Sequence, residues 1–196
     1  MNKFLGIGLI IVALIIGTGI GYVLTPQYSS SSMSSSNMNI NLGKADKEID
    51  LRFIDAMSAH HISAIEMAKI AQKESKRPEI IDLATNIISA QSKEVNQIKQ
   101  WKKDWYNNKD SSFKMDDMMV NLGIYDDKFD LRFINAMIAH HNEAINMAKE
   151  IQTKSTRNEV LNLSNNIIMD QSKEIKQMQQ WRMAWYQIEP FEMSMK

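Results

Sequence analysis

Cysteine is absent from this chain of 196 residues. Neither disulfides nor thiolate metal sites can form, and zinc-finger and iron–sulfur chemistry are excluded with them. Net charge is also absent: 23 basic side chains balance 23 acidic ones. No basic surface points to nucleic acid or to an electrostatically held membrane. Histidine is scarce, with four copies in two adjacent pairs, His60-His61 and His140-His141. Methionine is abundant, with 15 copies. Pliable core filling accounts for scattered methionines, but not for the pairing of every histidine.

One long hydrophobic run exists, from Phe4 to Leu24, and it contains no charge. A run of roughly 20 apolar residues can span a bilayer. Lys3 before it places the start on the cytoplasmic side. Five glycines within it (Gly6, Gly8, Gly17, Gly19 and Gly21) suit a membrane helix better than a soluble one. No Ala-x-Ala cleavage site follows. Residues 1–24 therefore read as an uncleaved signal anchor, with a cleaved signal peptide as the alternative. Either way the remainder is expected in the periplasm or outside the cell, anchored or secreted. Residues 25–37, TPQYSSSSMSSSN, are too polar to bury a core and read as a tether.

The rest is a duplication. Asp50-Leu-Arg-Phe-Ile recurs as Asp130-Leu-Arg-Phe-Ile, and the same offset relates Gln91 to Gln171, Trp101 to Trp181 and Tyr106 to Tyr186. About 32 of roughly 57 positions are identical, without gaps. Repeat 1 covers residues 38–106, a crossover linker 107–117, repeat 2 118–186, and a Met-containing tail 187–196. Each repeat reads as two helices. The first is expected from about Asp46 to Glu74, with Asp46 and Asp126 as N-caps. Phe53, Met57, Ala64 and Met67 recur at helical spacing. The break falls at Lys76-Arg77-Pro78-Glu79, where proline suits a first turn. In repeat 2, Thr156-Arg157-Asn158-Glu159 fits a capping box. No segment alternates with period two. The expected fold is all-α: two tandem hairpins whose apolar stripes close into a four-helix bundle. The four tryptophans read as core at the bundle ends.

At about 100° per residue, Met57, His60, His61, Ala64 and Met67 share an arc of about 120° on one helix. Met137, His140, His141, Ala144 and Met147 repeat the arrangement. Imidazole suits copper, zinc, iron and nickel, whereas thioether sulfur selects soft ions such as Cu(I). Without cysteine or clustered carboxylates, this set fits copper best, with silver following Cu(I). The same stripe is the core face, so the methionines would be apolar there regardless. The histidines carry most of the metal argument, because adjacent buried imidazoles are costly without partners. On the second helices, Gln91, Glu94, Gln171 and Glu174 fall on the inward face. Each Glu could orient an imidazole, ligate a metal, or form a structural ion pair. Met115, Met118 and Met119 cluster in and beside the linker as a candidate auxiliary copper site.

These residues together resemble a ferritin-like bacterial family catalogued as a domain of unknown function. Its pattern is Phe-Ile-x-x-Met-x-x-His-His-x-x-Ala-Ile-x-Met-Ala, followed by Gln-x-x-Glu-Ile-x-x-Met-x-x-Trp. It appears here as Phe53–Ala68 with Gln91–Trp101, and as Phe133–Ala148 with Gln171–Trp181. Repeat 1 departs from it at Val95 and Ile98, where repeat 2 keeps Ile175 and Met178. The resemblance implies copper binding, a periplasmic location and a role in copper tolerance. The expectation is a non-enzymatic binder that sequesters copper or passes it on, with a copper efflux system or another copper protein as partner. Two other readings stay open. A di-metal oxidase would need Glu-x-x-His, which neither repeat has, and Glu66 faces away from the stripe. A membrane-tethered interaction module would use its histidines structurally or as pH sensors.

Overall fold

The computed structural model describes residues 41–111 and 121–188. The membrane-length run, the tether, Met115, Met118, Met119 and the end of the tail lie outside them. Four helices occupy the described residues: α1 (Ile49–Glu74), α2 (Pro78–Tyr106), α3 (Phe129–Gln152) and α4 (Asn158–Tyr186). Among the described residues there is no strand, and no helix is long and apolar enough to cross a membrane. Each repeat is a hairpin, α1 on α2 and α3 on α4, and the hairpins meet through α1 and α3. This is the expected four-helix bundle.

The helix starts differ from expectation. α1 and α3 begin three residues after Asp46 and Asp126, and neither Glu48 nor Lys128 before them caps with its side chain. The two aspartates are turn residues instead. Asp46 accepts the Glu48 N–H at 2.9 Å and pairs with Arg52 at 3.0 Å; Asp126 does the same with Lys128 and Arg132. The arginines hold the preceding loop. Arg52 Nε donates to the Leu42 carbonyl at 2.6 Å, and Arg132 Nε to that of Leu122 at 2.7 Å. The capping box expected at Thr156 is also not formed. Arg157 holds the N-cap position without a side-chain cap, and Ser155 Oγ accepts its N–H at 3.1 Å. Ser75 does the same for Arg77, ahead of a first turn led by Pro78.

Two apolar clusters fill the bundle, one toward each end. The first joins Met67, Ala68 and Ala71 of α1 and Ile80 and Ile87 of α2 to Phe133 and Met137 of α3 and Met178 of α4. The second joins Phe53 and Met57 of α1 and Ile98 of α2 to Met147 and Ile151 of α3 and Val160 and Leu163 of α4. Every cluster therefore mixes the repeats, so neither hairpin has a core of its own. At each end an arginine from one repeat closes on the other. Arg157 reaches Asp50 at 3.1 Å and lies over Trp105 at 4.1 Å. Arg77 reaches Asp130 at 3.5 Å and lies over Trp185 at 4.3 Å. The tryptophans stack in pairs, Trp101 on Trp105 and Trp181 on Trp185. They are half-buried, forming lids on the core rather than part of it.

Candidate metal centre

Antiparallel packing of α1 on α3 places the two His-His pairs between the apolar clusters. His60 and His140 meet across the repeat boundary, with ring centroids 3.6 Å apart. His61 and His141 turn toward the second helix of their own hairpin. His61 Nε2 lies 2.8 Å from Glu94 Oε2, and His141 Nε2 lies 2.6 Å from Glu174 Oε2. Both inward glutamates thus sit at the imidazoles, as their helical positions suggest. All four histidines are buried.

Their hydrogen bonding is incomplete. Among the described residues, neither nitrogen of His60 or His140 makes a hydrogen bond of acceptable geometry, and Nδ1 of His61 and of His141 also lacks a partner. Burying a polar group unpaired costs on the order of 1–3 kcal/mol, and here several such groups converge. Burial drives the basicity of His60 and His140 well below the ordinary value. Charge on the neighbouring histidines would lower it further, and backbone approaches between the two counter this only weakly. Both rings are therefore neutral, the state in which imidazole nitrogen binds metals.

Met57, Met67, Met137 and Met147 are all buried on the same helices. Their grouping crosses the repeats: Met57 shares a cluster with Met147, and Met67 shares one with Met137. Each apolar cluster thus holds methionines from both repeats. Gln91 and Gln171 are buried too, and each has an Oε1 without a partner. Ala64 and Ala144 add no bulk to the stripe. Glu66 points away, paired with Lys69 at 2.7 Å. Among the described residues, no three His, Asp or Glu side chains gather around one point. Nitrogen and oxygen donors alone therefore do not make a finished cage. The unpartnered imidazole nitrogens fit a metal ion, which would need further donors beside them.

Sequence reasoning missed one carboxylate. Glu143 Oε2 lies 3.7 Å from His60 Nε2, across the repeat boundary. Burial raises its pKa from 4.5 to about 7. On a helical wheel Glu143 lies about 120° from Met137, just beyond the arc of the stripe. The signal was the mismatch between repeats, since Ser63 holds the equivalent place. A surface cavity of about 300 Å³ also reaches the centre. Glu94 lines it together with Gln97, Trp101, Glu159, Asn162, Leu163 and Asn166. One residue thus touches both a buried imidazole and an open recess between α2 and α4.

Known proteins share this fold. The profile of DUF305, a domain of unknown function, matches residues 50–182. The solved structure "CopM in the Cu(II)-bound form" superposes with a TM-score of 0.63 at 36% identity, covering 70% of this chain and 97% of that one. "CopM in the Cu(I)-bound form" gives 0.61 at 38%, and "CopM in the Ag-bound form (by co-crystallization)" gives 0.62 at 39%, each over the same shares. A putative secreted DUF305 protein from Streptomyces coelicolor, 24% identical over 70% of this chain and 91% of that one, shares the fold with a TM-score of 0.61. No curated protein sequence matches significantly. A duplicated Met-x-x-His-His helix facing a Gln-x-x-Glu helix, the profile match and these structures lead to one conclusion: the chain belongs to the DUF305 family.

Proposed function

We propose that this protein binds copper without catalysing a reaction, and sequesters the ion or passes it on. One observation carries the reading: imidazoles from both repeats meet in the bundle interior with nitrogens that, among the described residues, make no hydrogen bond of acceptable geometry. Its support comes from CopM, similar over most of its length and solved with Cu(I), Cu(II) and silver. His60, His61, His140 and His141 are the nitrogen ligands in this reading. Met57, Met67, Met137 and Met147 supply soft sulfur that favours Cu(I) and silver. Glu94 and Glu174 orient His61 and His141, as carboxylates commonly do for metal-bound imidazoles. The apolar run near the N-terminus supports an extracytoplasmic location, anchored or secreted, where the protein would contribute to copper tolerance alongside an efflux system or another copper protein. Titration of the purified chain with Cu(I) and Cu(II) tests this. Replacing all four histidines by alanine should abolish the tight sites; unchanged affinity would refute the assignment.

A second reading has one observation in its favour. The His61–Glu94 and His141–Glu174 contacts are those of structural ion pairs. A purely structural role leaves the ring nitrogens of His60 and His140 without a hydrogen bond of acceptable geometry among the described residues. It also requires thermal stability to respond to pH but not to added copper.

A further inference from the structure

The duplication is nearly symmetric, but its centre is not. Repeat 1 carries Ser63 three residues after His60, and repeat 2 carries Glu143 three residues after His140. The Glu143 carboxylate does not serve its own repeat. It crosses to the His60 imidazole of the other, 3.7 Å from Nε2. That is too long for a hydrogen bond. Bonds of about 2.0–2.2 Å set neighbouring donors roughly 3.3–3.6 Å apart on a tetrahedral ion and about 2.8–3.1 Å apart in the tetragonal geometry of Cu(II), so a small turn of either side chain brings both atoms onto one ion. Among the described residues, no lysine or arginine pairs with Glu143. A partly buried carboxylate without a cation thus faces a buried imidazole without a hydrogen bond.

We propose that Glu143 and His60 form an oxygen–nitrogen position for Cu(II) that the opposite side of the centre lacks. The inference rests on the copper-binding reading and adds a division of labour to it. Carboxylate is a hard donor, and with imidazole it suits the divalent ion; thioether suits Cu(I). The His140 ring, tilted against that of His60 with centroids 3.6 Å apart, supplies a further nitrogen once the rings turn. The two oxidation states then hold to different atoms: Cu(I) on the histidines and methionine sulfur, Cu(II) on the His60–Glu143 side. A carboxylate that was merely tolerated there would leave the two ions with the same preference in its absence.

The experiment is Cu(II) titration and electron paramagnetic resonance of the full chain against Glu143→Ser, which installs the residue of repeat 1, with Cu(I) affinity measured in parallel by chelator competition. The expected result is a loss of Cu(II) affinity of roughly 10–100-fold or more, the scale that even an outer-shell partner controls. The Cu(II) spectrum should change with it, and Cu(I) affinity should not. Glu143→Gln keeps the shape and removes the anionic donor, so it gives the same answer should the serine variant fold poorly. A Cu(II) affinity and spectrum indistinguishable from wild type in both variants overturns the role of Glu143 and leaves the copper reading standing. Failure of the wild-type chain to bind either ion overturns both.

Discussion

At the scale of single residues, the centre sets opposing protonation demands. His60 and His140 stay neutral in the folded, metal-free chain, whereas in the unfolded chain they take up protons below their ordinary value of 6.5. Acid therefore favours unfolding through both of them. Glu143 acts in the opposite sense. Its folded pKa is raised from 4.5 to about 7, so between those values the unfolded chain releases a proton that the folded chain keeps, and stability falls as pH rises. Two histidines outweigh one glutamate below about pH 6. The metal-free chain should accordingly lose stability from pH 7 to 5, read as a falling urea midpoint, and Glu143→Gln should steepen the fall. A flat profile would mean that the imidazoles find partners. The methionines permit a cleaner separation of roles. Met57→Leu with Met147→Leu conserves volume, so each swap should cost less than about 1.5 kcal/mol. Cu(I) affinity should fall more than Cu(II) affinity in competition titrations.

At the scale of elements, the sequence is an accurate guide to helix existence and a poor one to the starts of α1 and α3. Period and breakpoints place α2 and α4 closely, because Pro78, Arg157 and the terminal tryptophans leave few alternatives. Asp46 and Asp126 mislead because a long-reaching neighbour competes for them. Arg52 and Arg132 draw the carboxylates into the preceding loop, and local spacing carries no sign of that. The loop itself depends on backbone handedness. Gly43 has φ of +82°, and an added Cβ would lie 3.5 Å from Arg52 Nε. Left-handed backbone costs an ordinary residue about 1–2 kcal/mol. Gly43→Ala should therefore destabilise the bundle by about that much in chemical denaturation, and a neutral effect would show that the loop can relax.

At the scale of the whole molecule, the duplication is legible and its assembly is not. The repeat, the stripe and the inward glutamates follow from period and offset. What period cannot give is the register of α1 against α3, and that register decides which donors meet. It sets His60 against His140, groups Met57 with Met147, and brings Glu143 to the histidine of the other repeat. Clusters built from both hairpins also explain why the centre lies between the repeats rather than within each. The position of copper in a crystal of the loaded protein tests this account most directly. An anomalous difference map at the copper edge should place the ion between α1 and α3, beside His60 and His140. Strong peaks confined to the protein surface, with the interior histidines empty, would contradict it.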